Sequence, residues 1–226
     1  MIDSIKTFGD SFLFGSDLSD CKDTAGKYGE HSLLTWPALI AKDLDLAYYC
    51  SAEAGRGNTA ITAEILANAG PTCLNIINWT WIDRFDYNFR NHIWPETIRP
   101  GNDNNISKEY YATMHSELDD KLRNLITIHS AISYLKTNNM PFICTYMDHL
   151  ILDQQYNCPK FIRRLQDQIK NDLNTFPYNQ TFLEWSRANN HSESDNWHPL
   201  EQAHQEAADI WLPIYKKAIN THIANL

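Results

Sequence analysis

Short apolar runs alternate with stretches of helical period along the whole chain, and this alternation limits the fold more than any other feature. Ile5 and Phe8 mark the first run, followed by runs at 44–50, 72–78 and 140–146. Each is of strand length and ends in a polar or turn-forming segment. Between and after them, apolar residues recur three or four positions apart. Leu33, Trp36, Leu39 and Ile40 form one such stripe, and Ile61, Ile65 and Leu66 a second. Leu118, Leu122, Leu125, Ile128, Ile132 and Leu135 form a third within 109–138, and Ala203, Ala207, Ile210, Trp211 and Ile214 a fourth within 200–223. The spacing predicts amphipathic helices there, with a further helix over 160–173. Strands linked through helices pair in parallel and are covered on both faces, which predicts a three-layer α/β/α sandwich. No repeat or linker divides residues 1–226, so one domain is expected.

Three segments do not follow the pattern. Residues 86–108 are rich in Asn and aperiodic, and a loop of that length implies a lid or a substrate wall. Residues 181–183 read either as a fifth strand or as the approach to a site loop. Residues 15–31, with Asp17, Asp20, Lys22 and Asp23, form a polar segment that lines a site or simply meets solvent.

Charge and composition exclude several classes of function. A net charge of -9 disfavours nucleic acid as the main partner, because phosphate binding needs clustered Lys and Arg. No run approaches the roughly 20 apolar residues of a membrane span. The first residues lack the build of a secretory signal, so a cytoplasmic or virion-associated protein is expected. Five scattered cysteines without C-x-x-C spacing imply reduced thiols. Histidines without an H-x-x-x-H pair give no reason to expect a metal, and no organic cofactor is implied.

Two short motifs at opposite ends carry the chemistry. Gly9-Asp10-Ser11 follows the first strand, where a glycine eases a tight turn and Asp10 or Ser11 can cap a helix. A serine held there has free backbone N–H groups beside its hydroxyl. Asp195-Asn196-Trp197-His198-Pro199 precedes the last helix, whose first turn suits Pro199. Asp195 can reach back to the Nδ1–H of His198, leaving Nε2 to take a proton from an alcohol. Gly55-Arg56-Gly57-Asn58-Thr59 follows the second strand but lacks both the Lys-Ser/Thr of a P-loop and a full G-x-G-x-x-G, so it is a weak nucleotide signal.

Across nearly its whole length the sequence resembles the SGNH (GDSL-type) hydrolases. The resemblance implies a parallel, flavodoxin-like sheet and a Ser11, His198, Asp195 triad. Its oxyanion hole would comprise the Ser11 N–H, the Gly57 N–H (Gly55 in the alternative register) and a donor from the third block. That block departs from the family's G-x-N-D. Asn78-Trp79-Thr80-Trp81 places Thr80 at the Asn position and Asn78 at the Gly position, similar to a G-W-T variant of phage-encoded members. Loss of one oxyanion donor costs on the order of a hundred- to a thousandfold in rate. Two readings therefore stand: a serine esterase acting on small acyl esters, including O-acetyl groups on carbohydrate, or a non-catalytic binding or virion-assembly module. A flavodoxin-like nucleotide binder is a third and weaker reading. Asp10, Trp79, Trp81 and Arg84 are candidates to contact substrate. Trp79, Trp81 and Trp94 read as either a stacking wall or core, and Arg84 as an anion site or a surface ion pair with Asp83 or Asp86.

Overall fold

The computed structural model describes residues 2–21, 30–88, 95–154 and 158–224. Trp94 and residues 22–29 of the polar segment lie outside them. Strands β1 (Ser4–Phe8), β2 (Ala47–Cys50), β3 (Cys73–Trp79) and β6 (Phe142–Tyr146) form one parallel sheet in the order β2-β1-β3-β6. Helices α2 (Trp36–Asp43), α3 (Asn58–Asn68), α5 (Glu117–Thr137), α6 (Lys160–Ile169) and α8 (Glu201–Ala224) cover it. All strands run the same way, so the turns after β1, β2 and β3 share one end of the sheet.

Side-chain alternation along the strands separates two cores. Ile5, Leu74 and Ile76 face α2 and α8, where Trp36, Ile40, Ala207, Trp211 and Tyr215 pack with Phe176, Phe182 and Trp185. Phe8, Ile77 and Trp79 face the other way, against Ile61 and Ile65 of α3, Ile128 and Ile132 of α5 and Ile162 of α6. This is the three-layer sandwich expected from the pattern. Among the described residues no helix is long and apolar enough to cross a membrane.

Three local expectations are corrected. Of the two readings of residues 181–183 the strand is the one that fails: they open a helix, α7 (Phe182–Ala188), which runs into the loop of His198, because Thr181 and Glu184 form a reciprocal capping box that outweighs the strand character of so short a run. The 86–108 segment contains a two-stranded antiparallel hairpin, β4 (Phe85–Tyr87) with β5 (Glu96–Ile98), and reaches into α4 (Asn105–Glu109), which Asn104 caps. Strands of three residues are too short to show a period. The long helix expected over 109–138 breaks at its start: a π-helical turn, Tyr110–Met114, separates α4 from α5.

Candidate active site

The turn that holds Ser11 is built by three strand ends acting together. Asp10 caps α1 (Ser11–Phe14) in an extended conformation, its Oδ1 accepting the Phe12 N–H at 3.1 Å. Its Oδ2 accepts from Thr80 Oγ1 at 2.6 Å and Arg84 Nη1 at 3.1 Å. The same Arg84 nitrogen donates to the Arg56 carbonyl at 2.8 Å. A fully buried carboxylate thus ties the loops after β2 and β3 to the turn after β1, and the paired charges offset each other's desolvation. Ser11, the first residue of α1, follows directly. It is buried, and among the described residues no acceptor takes its backbone N–H, as the open end of a helix leaves it.

His198 reaches this turn from the loop before α8. Its Nε2 lies 3.0 Å from Ser11 Oγ, and its ring stands edge-on to Phe12, 5.3 Å between centroids. Its Nδ1 lies 2.7 Å from Oδ2 of Asp17, not from Asp195. Asp195 is exposed, and no hydrogen bond joins it to His198 among the described residues. The cause is the tight turn 194–198, in which the Ser194 N–H donates to the His198 carbonyl, the Trp197 N–H donates to the Ser194 carbonyl, and Trp197 takes φ +65°. The side chains of Ser194, Asn196 and His198 all meet Asp17, while Asp195 is left in solvent.

Asp17 is aimed by a turn of its own. Gly15 ends α1 at φ +81°, where a Cβ would come within 2.4 Å of Ser32 Cβ, and Asp17 follows at φ +69°. Partial burial raises its pKa, but hydrogen bonds from Ser194, His198 and Asn196 outweigh that and hold it below the ordinary 3.8. An ionised Asp17 accepts from Nδ1 in the neutral tautomer that leaves Nε2 free to accept the Ser11 hydroxyl hydrogen.

The expected oxyanion donors fare unequally. Gly57 N–H is already engaged, donating to Asp86 Oδ1 at 3.1 Å and Thr97 Oγ1 at 3.3 Å. Asp86 also accepts the Ala60 N–H at 2.9 Å, so the hairpin supplies the cap that Gly57, at the N-terminus of α3, cannot. Thr80 spends its single hydroxyl hydrogen on Asp10 and lies fully buried, so it has no proton left for an oxyanion. Gly55 sits in the same turn at φ +82°, and among the described residues nothing takes its N–H. Asn78 keeps an unused donor: its Oδ1 accepts from Thr145 at 2.8 Å, while its buried Nδ2 has no partner among the described residues.

Of the expected substrate contacts, Trp79 is fully buried in the second core, and Asp10 is buried within its own network. Arg84 is buried and pairs with Asp10, and among the described residues it forms no salt bridge with Asp83 or Asp86. Trp81 is half-buried, its ring 5.7 Å from Phe12 with the Arg84 guanidinium 4.8 Å from its centroid. Sequence reasoning gave no role to Trp197, which is 68% exposed next to His198. Among the described residues no group of three or more His, Cys, Asp or Glu is placed to hold a metal.

No family model and no curated protein matches the chain in sequence. Solved structures match its fold. An acetyl xylan esterase from the rumen bacterium Butyrivibrio proteoclasticus aligns with TM-score 0.52 and 13% identity, covering 97% of this chain and 65% of its own. A family two carbohydrate esterase from Clostridium thermocellum, solved with cellohexaose, aligns with TM-score 0.53 and 14% identity over 96% of this chain and 64% of its own. A phospholipase A1 from Streptomyces albidoflavus aligns with TM-score 0.52 and 11% identity, over 96% of this chain and its full length. The chain has the fold shared by SGNH and GDSL-type esterases. It spans just under two thirds of the length of the two carbohydrate esterases.

Proposed function

We propose that the chain is a serine ester hydrolase with Ser11 as nucleophile, His198 as general base and then acid, and Asp17 as the carboxylate that orients His198. The observation that carries this reading is the unbroken hydrogen-bond chain from Ser11 Oγ through His198 to Asp17. Ser11 Oγ attacks the ester carbonyl as its proton passes to Nε2, which later gives it to the leaving alcohol. Water then enters by the reverse steps and frees the acid. The Ser11 N–H meets the oxyanion, and Gly55 N–H and Asn78 Nδ2 are proposed as its further donors because neither has a partner among the described residues. No step needs a metal or an organic cofactor.

Small acyl esters are the proposed substrates, with O-acetyl groups on carbohydrate favoured. Support comes from the names of the structural neighbours, an acetyl xylan esterase and a carbohydrate esterase solved with cellohexaose. The commitment of Thr80 to Asp10 favours a second reading, a weakly active or inactive module in a binding or assembly role. A panel of acetylated xylo- and cello-oligosaccharides, short-chain nitrophenyl esters and phospholipids, run with native protein and Ser11→Ala, separates the two. Turnover of the acetyl esters that disappears in Ser11→Ala supports the hydrolase; no turnover of any ester by folded protein supports the module.

A further inference from the structure

We propose that Ser194 is the positioning residue of the site, setting Asp17 and His198 at the same time. This rests on the reading of Ser11, His198 and Asp17 as the reacting groups. The Ser194 hydroxyl donates to Asp17 Oδ2 at 2.6 Å and accepts the backbone N–H groups of Asn196 and His198, each at 3.2 Å. One donated and two accepted bonds exhaust what a serine hydroxyl can do. Its whole capacity is therefore spent between the orienting carboxylate and the backbone of the base.

Asp17 Oδ2 is the second centre of the arrangement. Donors from Ser194, Asn196 (3.1 Å) and His198 (2.7 Å) all converge on this one oxygen. A carboxylate held by His198 alone could pivot and offer either oxygen; the Ser194 and Asn196 donors fix which one faces Nδ1. The backbone on both sides is in an unfavourable region, with Asp17 at φ +69° and Trp197 at φ +65°, and a left-handed tryptophan persists only where its surroundings enforce it. The Ser194 bonds supply that enforcement. In this chain the loop of the base carries no catalytic carboxylate. It carries instead the serine that holds a carboxylate brought in from the nucleophile's side.

The test uses Ser194→Ala and Ser194→Thr, each in the native and the Asp17→Asn background, with nitrophenyl acetate as substrate. Ser194→Ala lowers kcat by about tenfold to a hundredfold with KM little changed, and Ser194→Thr, which keeps the hydroxyl, recovers most of it. In the Asp17→Asn background the same change lowers kcat by less than about threefold, because the carboxylate that Ser194 holds against His198 is already gone. Equal losses in both backgrounds, or a native-background loss under about twofold, overturn the proposal. A second readout does not depend on turnover: the downfield Nδ1 proton resonance of His198 is present in native protein and lost in Ser194→Ala. Its persistence in Ser194→Ala, or its absence from native protein, also overturns the proposal. Protein that hydrolyses no ester but shows this spectral change retains Ser194 as positioning residue while the hydrolase reading falls.

Discussion

Asp17 Oδ2 and His198 Nδ1 meet at 2.7 Å although 181 positions separate them in the sequence. The carboxylate that meets Nδ1 of His198 therefore comes from the loop just after Ser11, not from the loop of the histidine itself. Asp17→Asn places an amide against Nδ1 and favours the wrong tautomer. It is expected to lower kcat by about ten-thousandfold. Asp195→Asn, at an exposed position outside this bond, is expected to stay within about threefold of native activity. Steady-state kinetics on the two variants decides it, and the reverse ranking would return the role to Asp195.

Arg84 is the only cation paired with the buried Asp10 among the described residues. Arg84→Met leaves that buried carboxylate without its counterion, at a cost of about 3–5 kcal/mol. Asp10→Asn combined with Arg84→Met removes the stranded charge and is expected to recover part of the loss. Urea unfolding measures both. A single variant that loses under about 1 kcal/mol would show that the Thr80 and Phe12 donors suffice.

Burial pushes the pKa of His204 down from 6.5 to about 3, with Glu201 opposing and His198 adding to the fall. Its Nδ1 accepts the Trp36 backbone N–H at 3.2 Å, and its ring stacks on the Trp36 indole. The unfolded chain takes up a proton near pH 6.5 and the folded protein does not. The stability it contributes is therefore complete above about pH 6.5 and is lost progressively as the pH falls toward about 3. Thermal unfolding at steps across this window should show Tm falling, and less steeply in His204→Gln. Equal slopes in the two proteins would place the acid sensitivity elsewhere.

The sheet and its covering helices were legible because buried strands and one-sided helices write their period directly into the residues. Ser11 and His198 were legible because a strand-to-helix turn and a loop-to-helix junction each leave a compact signature. The contact of Asp17 with His198 was not. Asp195 has the local spacing to serve His198, and only the left-handed turn at Trp197 leaves it in solvent. That the Gly57 and Thr80 donors are engaged was hidden for a related reason: Asp86 and Asp10, distant in sequence, take their hydrogens. The hairpin that brings Asp86 to α3 has strands too short to show an alternation. What a donor is free to do depends on partners that no local pattern names.

Treatment of the native protein with a fluorophosphonate, followed by peptide mass spectrometry, tests the central relationship most directly. One covalent phosphonyl adduct on Ser11 is expected, absent from Ser11→Ala and strongly slowed in His198→Ala. Folded protein that takes up no adduct, or takes it up at another serine, would contradict the pairing of these two side chains as nucleophile and base.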